Sequence, residues 1–452
     1  MSNKINSKLF LIIELLFFIG ALIFIIANDM APITAIGLLI IIILIPLFFM
    51  FPYYSLLLLI IIRNATDTYT EGTFINFFNV LNLNFSSILG ILIIFWAGYI
   101  FLKEKINLKK IPLILPWILF LVFALFSFSY SVSKMDSLKM FLKLIDFYLI
   151  YVISYYYFTK YKTKKHYFIK TVFLAYLLPC VLGIYQIIAE AGFIGPEQLN
   201  RIKGTYSHPN IFSFNLLLLF IIFIINYLHI NNTEKKKKSL FFLVIIGVLI
   251  LYTLTRSAWI GLIILIVSLI FIYKRKYIVK YLLLIISLFF IFIIITNYTS
   301  LKYFDWTDIT FIKRGLTSNT FVSSWEWRLN TWSEMSTYVY QSPIIGFGLD
   351  TYRFLREKQV YSIYEDPYYA HNDYLKFLIE LGIIGLLLYL NLIFQVLRKI
   401  FIKYIKSKNK KYLVSFIGIS IIFLIASVDN VLMSTSLQWV LWIFIAYLLT
   451  ED

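Results

Sequence analysis

The sequence has one cysteine, Cys180, and only 23 acidic residues in 452. A single thiol excludes a disulfide framework and a thiolate metal cluster. Charge of either sign is scarce, at 14% of residues, well under what soluble domains carry. There is no Asp-x-Asp or Glu-x-Glu pair and no His-x-x-x-His spacing, so a divalent-metal site has no obvious ligands. Walker loops and Gly-x-Gly-x-x-Gly are also missing, so nothing reads a nucleotide, and no Gly-x-Ser-x-Gly elbow presents a nucleophile.

What remains is apolar: 61% of residues are hydrophobic and 19% aromatic. That content excludes a soluble globular chain and a disordered one. Barrel strands would alternate, whereas runs such as Leu216–Ile225 are unbroken. The chain therefore reads as an all-α polytopic membrane protein, with a bilayer crossing taking about 20 residues. Apolar runs separated by charge or turn signals give candidate spans at 9–27, 33–46, 48–62, 86–102, 112–129, 138–158, 167–190, 209–230, 239–254, 258–273, 278–297, 373–397, 412–428 and 434–450. Pro46 and Pro52 could break 33–62 into two short helices or one re-entrant hairpin; Lys4 and Lys8 lie on the same side as Lys103–Lys110, so alternation decides for two crossings, within an expected 12–14. Three regions follow: transmembrane helices over 1–297, a large loop over 298–372, and C-terminal transmembrane helices over 373–452.

The net charge of +18 would suit a nucleic-acid partner, but its distribution argues against one. Segments 1–8, 103–110, 160–170, 231–238, 274–280, 398–411 and 451–452 hold 26 of the 41 basic residues and 4 of the 23 acidic ones, a net of +22. Alternating spans put all of them on one side, which is the positive-inside pattern of a multi-pass membrane protein, both termini cytoplasmic. Lys235–Lys238 reads as one such anchor, with anionic lipid as the other reading.

Three loops on the opposite face are long: 63–85, 190–208 and 298–372. The last carries Trp306, Trp325, Trp327 and Trp332, and its length predicts short helices packed over the membrane domain. Glu334–Tyr340, ahead of Pro343 and Gly346, suits one of them. Charged residues near the bilayer are costly and functional by default. Arg256 lies in a tight outer turn, Thr253–Trp259, with no other charge between Lys238 and Lys274; snorkelling is its plain alternative. His371 precedes a helix start that Asn372 or Asp373 could cap. There the helix dipole disfavours the imidazolium and leaves a neutral base. An interfacial helix-end histidine is the competing reading. Arg328 sits among tryptophans and could grip phosphate bidentately, or pair with Glu326 or Glu334. Arg201, Lys203 and His208 make a further cationic loop, where His208 before Pro209 is held extended and could be structural. Gly346-Phe347-Gly348 reads as a bend.

Four stretches together resemble the O-antigen ligase and polymerase superfamily of bacterial membrane glycosyltransferases. They are Thr255-Arg256-Ser257-Ala258; Arg328–Trp332 running on to Ser342–Gly348; Gly204–Asn210; and His371-Asn372-Asp373-Tyr374-Leu375 followed by Glu380-Leu381-Gly382-Ile383-Ile384-Gly385. They cover roughly 200–390 in family order. The resemblance implies a GT-C-like helical fold with an outward-facing active site. It implies transfer of a glycan from an undecaprenyl-pyrophosphate carrier to an acceptor hydroxyl on a glycan or lipid A core, without metal or cofactor. Membrane lipid surrounds the site, and a chain-length regulator is a further expected partner. Carried over, it puts Arg256 and Arg328 on the pyrophosphate and His371 as catalytic base, with Asp429 a further family polar position and Arg201 a less fixed one; Lys203 and His208, in the same cationic loop, complete the candidate substrate-binding set. The reading from a different class is a flippase or transporter of lipid-linked sugar without glycosyl transfer.

Overall fold

The computed structural model describes residues 45–70, 75–77, 81–83, 85–194, 200–273, 324–357, 370–432 and 434–450. Expected spans 9–27 and 278–297, and most of 33–46, lie outside them. Each of the remaining expected spans coincides with a helix: α1 (Pro52–Ala65), α2 (Phe85–Glu104), α3 (Ile114–Phe126), α4 (Lys134–Lys160), α5 (Tyr167–Ile188), α6 (Pro209–His229), α7 (Thr233–Tyr252) and α8 (Arg256–Tyr273), then α11 (Asp373–Ser407), α12 (Lys410–Ile425) and α13 (Thr435–Leu449). Between the two groups, the large loop contributes α9 (Ser324–Gln341) and α10 (Tyr352–Glu357). Two short ribbons, β1 (Ile75–Phe77) with β2 (Leu81–Leu83) and β3 (Phe193–Ile194) with β4 (Asn200–Arg201), are antiparallel. The protein is an all-α multi-pass membrane protein. Five of its described helices are long and apolar enough to cross a bilayer.

Burial separates the helices by role. α6 and α13 are buried nearly all round, as a helix apolar on every face must be when protein rather than lipid surrounds it. α13 packs on α4, and α6 on α7 and α12. By contrast α2, α5 and α8 present Phe95, Leu174 and Phe271 outward, the surface a lipid-facing helix needs. The lysine-rich connections between α4 and α5, between α6 and α7, and between α11 and α12 lie at one end of the bundle. The starts of α6, α8, α11 and α13 gather at the other.

The large loop is fastened to that second end by a break in α11. Gly382 has φ 62° and ψ −170°, which interrupts the helix. The backbone groups so released are taken up by the bend over 343–348. Ile383 N donates to Pro343 O (2.9 Å), Gly348 N to Glu380 O (2.8 Å) and Phe347 N to Ile379 O (3.1 Å). Non-helical backbone near the bilayer persists only where protein satisfies it in this way. The approach needs glycine on both sides. A Cβ at Gly382 would overlap Ile344 O, and one at Gly346, itself at φ 71°, would overlap Glu380 C. The Gly346–Gly348 bend and the Glu380–Gly385 motif are thus two halves of one joint. Lys376 closes it from the side, with an ion pair to Asp350 at 2.7 Å.

Candidate active site

His371 stands at the entry to α11, where Asn372 caps the helix by accepting from Leu375 N (3.0 Å). Its backbone is left-handed, at φ 46°, a conformation that a bulky residue holds only when its surroundings enforce it. They do so through the loop between α12 and α13: His371 N donates to Asn430 Oδ1 (2.9 Å) and His371 Nδ1 lies 3.3 Å from Asp429 Oδ1. From α9, Trp332 Nε1 donates to Ala370 O (2.8 Å), and Trp327 meets the imidazole edge-on with ring centroids 5.4 Å apart.

Arg328, one residue beyond Trp327, sends Nη2 to 3.4 Å from His371 Nδ1 and 3.7 Å from Asp429 Oδ2. Its described partners are thus on other elements. The two contacts to Nδ1 compete, because arginine only donates and a carboxylate only accepts. The carboxylate is nearer, buried and in position to accept, so Nδ1 directs its hydrogen at Asp429, which leaves Nε2 as the nitrogen facing away from that contact. Burial pushes the Asp429 carboxyl up, but the hydrogen bond from His371, the Arg328 guanidinium and Asn430 N together hold it below the usual carboxylate range.

A second set of residues reaches the same carboxylate. Strand β4 and the turn after it are clamped to three helices. Gln186 Oε1 of α5 accepts from Lys203 N (2.9 Å) and Gly204 N (2.8 Å), Ile202 N donates to Tyr252 O of α7 (3.3 Å), and Thr205 Oγ1 donates to Asn64 O of α1 (2.6 Å). This aims Arg201 at the turn between α7 and α8. Its Nε donates to Thr253 O (2.8 Å), and its Nη2 to Asn210 Oδ1 (2.7 Å) and Thr255 Oγ1 (3.2 Å). Asn210, in the first turn of α6, then donates from Nδ2 to Asp429 Oδ2 (3.1 Å). His208, extended at φ −137° and ψ 144°, caps α6 by accepting at Nδ1 from Asn210 N (3.1 Å). Burial, followed by the charge of Arg201, pushes its imidazolium down to about 4; it is neutral at ordinary pH, with its acceptor nitrogen in use.

Of the residues singled out in the sequence, the structure brings Arg328, His371 and Asp429 into direct contact. Arg201 and His208 join them through Asn210. Lys203 sits apart, its ammonium 5.9 Å over the Phe193 ring. Arg256 is exposed on the turn and makes no hydrogen bond or ion pair with the described residues, although the adjoining Thr255 belongs to the network. Leu254, at φ 52°, shapes that turn. Asn210 and Asn430 were given no role in the sequence. The signals for Asn210 are its place at the end of the Gly204–Asn210 stretch and an amide in the first turn of a largely apolar helix; Asn430 has only its place beside Asp429. Chemically the cluster offers an imidazole, a carboxylate behind it and guanidinium donors alongside. Arg328 Nε is buried and has no hydrogen-bond partner among the described residues, which leaves a donor for an anion.

Residues 241–390 match the family model described as O-antigen ligase. That range includes Arg256, Arg328 and His371 and stops short of Asp429. No curated protein matches the chain.

Proposed function

We propose, from the match of residues 241–390 to the O-antigen ligase family model, that the protein is a metal-independent, inverting glycosyltransferase. It takes a glycan from undecaprenyl pyrophosphate and hands it to the hydroxyl of a glycan acceptor, as ligase or polymerase, at the outer face of the cytoplasmic membrane. The observation that carries this reading is the meeting of Arg328, His371 and Asp429 within 3.3–3.7 Å of one another. The unused Arg328 Nε supports it further.

In this mechanism Arg328 and Arg256 bind the pyrophosphate. Their charge stabilises the departing anion as the bond from the anomeric carbon to phosphate oxygen breaks, the task metal ions perform elsewhere. His371 Nε2 takes the proton of the acceptor hydroxyl as that oxygen attacks the anomeric carbon from the opposite side. Asp429 accepts from Nδ1–H, fixing the tautomer and stabilising the imidazolium that forms. One displacement with one base inverts the anomeric centre.

The test is transfer by the purified full chain, given lipid-pyrophosphate glycan and acceptor in the presence of a chelator, with the product anomer read by NMR. Wild type is expected to turn over and invert, and His371→Ala to lose nearly all transfer. Chelator-sensitive transfer, retention of configuration, or full activity in His371→Ala would overturn the reading. Arg256→Lys tests the bidentate grip: a point charge does not restore it, so near-normal turnover in that variant removes Arg256 from the pyrophosphate.

A further inference from the structure

The side-chain amide of Asn210 is clamped at both ends. Its Oδ1 accepts from Arg201 Nη2 at 2.7 Å and from Thr255 Oγ1 at 3.3 Å, while its Nδ2 donates to Asp429 Oδ2 at 3.1 Å. Which end is oxygen is fixed by its neighbours, since guanidinium only donates and carboxylate only accepts. A flipped amide would set N–H against N–H and oxygen against oxygen. Asn210 N is engaged too, by His208 Nδ1. The carboxylate it meets is the one that holds the His371 ring, and Asp429 divides its oxygens cleanly: Oδ1 serves His371 Nδ1 and Asn430 N, whereas Oδ2 serves Asn210 and Arg328.

We infer that Asn210 is a positioning residue for the transfer reaction: held by Arg201, it donates one N–H to Asp429, and so sets how strongly that carboxylate pulls on the proton of His371. The inference rests on the proposed role of His371 as base. It gives Arg201, Thr255 and Asn210 one shared task, linking the turn that carries Arg256 to the carboxylate behind the imidazole. The charged and titratable groups facing the Asp429–His371 pair are Arg328 from α9, Arg201 and His208 from the stretch before α6, and Asp373 from the first turn of α11. Removing the Asn210 N–H concentrates the carboxylate's charge, which favours the imidazolium. Replacing it by a second carboxylate does so more strongly.

The experiment follows the four histidines by 13C NMR in the full chain, with His371 assigned through His371→Gln, alongside transfer rates against pH. In Asn210→Asp, nearly isosteric with wild type, the titration midpoint of His371 is expected to move up by about one pH unit. In Asn210→Ala it moves the same way by less, so either variant suffices if the other fails to fold. The acid limb of the transfer rate is expected to move with it, whereas an amide that only packs would lower the rate equally at every pH. An unchanged His371 midpoint in a folded variant overturns the inference. A shifted midpoint with an unmoved acid limb upholds the positioning contact and overturns His371 as base.

Discussion

Helix α11 carries two charged clusters about one turn apart, and their construction is opposite. At its entry, His371, Arg328 and Asp429 have side chains 22%, 17% and 5% exposed and meet at 3.3–3.7 Å. Further in, Lys376 and Glu380 are 4% and 0% exposed, Lys376 pairs with Asp350 at 2.7 Å, and Glu380 Oε1 accepts from Tyr352 N at 3.1 Å. In the inner cluster both helix members are sealed, Lys376 pairing tightly with Asp350 and more loosely with Glu380 (3.6 Å), while Asp350, from the loop that folds over the helix, is 23% exposed. Removing one partner there strands a charge in low dielectric. The outer cluster is looser and open to solvent, and it keeps a spare donor. The inner pair fastens the loop to α11, whereas the outer cluster holds the proposed catalytic groups.

Two substitutions would break this contrast if it were wrong. His371→Ala carries the largest expected effect. Transfer falls by about a hundred- to ten-thousand-fold, the contribution of a positioned general base, while the thermal midpoint stays close to wild type. Lys376→Ala carries the next. It leaves Glu380 and Asp350 without their cation and costs about 3–5 kcal/mol of stability, read as a fall in the thermal unfolding midpoint. Should Lys376→Ala unfold like wild type yet abolish transfer, the inner cluster would be part of the site and the division between fastener and site would be lost.

The fold was legible because its signals are long and periodic: each apolar run that falls within the described residues is a helix, often extended by lysines or acidic residues that compose its polar ends. α9 was legible only in its second half. The sequence marks where it stops, at Pro343 and Gly346, but its start at Ser324 has no proline or glycine signal. The candidate cluster was legible by residue type and only partly by partner. His371 and Arg328 stood out as ionisable groups in aromatic or helix-start settings. That Arg328 faces Asp429 rather than a neighbour in its own helix depends on contacts a hundred residues distant, which no local pattern encodes. The same holds for the joint at Gly382: two glycine motifs are visible in sequence, but their interlocking is a property of the break in α11.

The next effect in size separates the clusters by pH. His208 lies beside the outer one, and its imidazolium is pushed down from 6.5 to about 4, first by burial and then by Arg201. The unfolded chain takes up a proton that the folded chain refuses, so stability is full above about pH 6.5 and declines as the pH falls toward 4. At about 1.4 kcal/mol per unit the loss amounts to about 3 kcal/mol. His208→Asn keeps an acceptor at the start of α6 and cannot ionise, so its thermal midpoint is expected to vary less over this window. Asp429, held low, adds its own loss only below the ordinary carboxylate range. A His208→Asn curve parallel to wild type would assign the acid sensitivity elsewhere.

The smallest effect sharpens the contrast where the loop and the outer cluster touch. Trp332 Nε1 donates to Ala370 O at 2.8 Å, and Ala370 is buried. Trp332→Phe keeps the ring and deletes the donor, which costs about 1 kcal/mol for the carbonyl left unpaired. Turnover is expected to change little. His371 remains held by Asn430 through its backbone N–H and by Asp429 through its ring, so α9 is expected to cover the proposed base without aiming it. If transfer instead fell by about ten-fold, a loss of 1.4 kcal/mol at the transition state, with the thermal midpoint unmoved, the loop helix would be setting the geometry of the base, and its fastening at Lys376 would then be a way of controlling the outer cluster from the inner one.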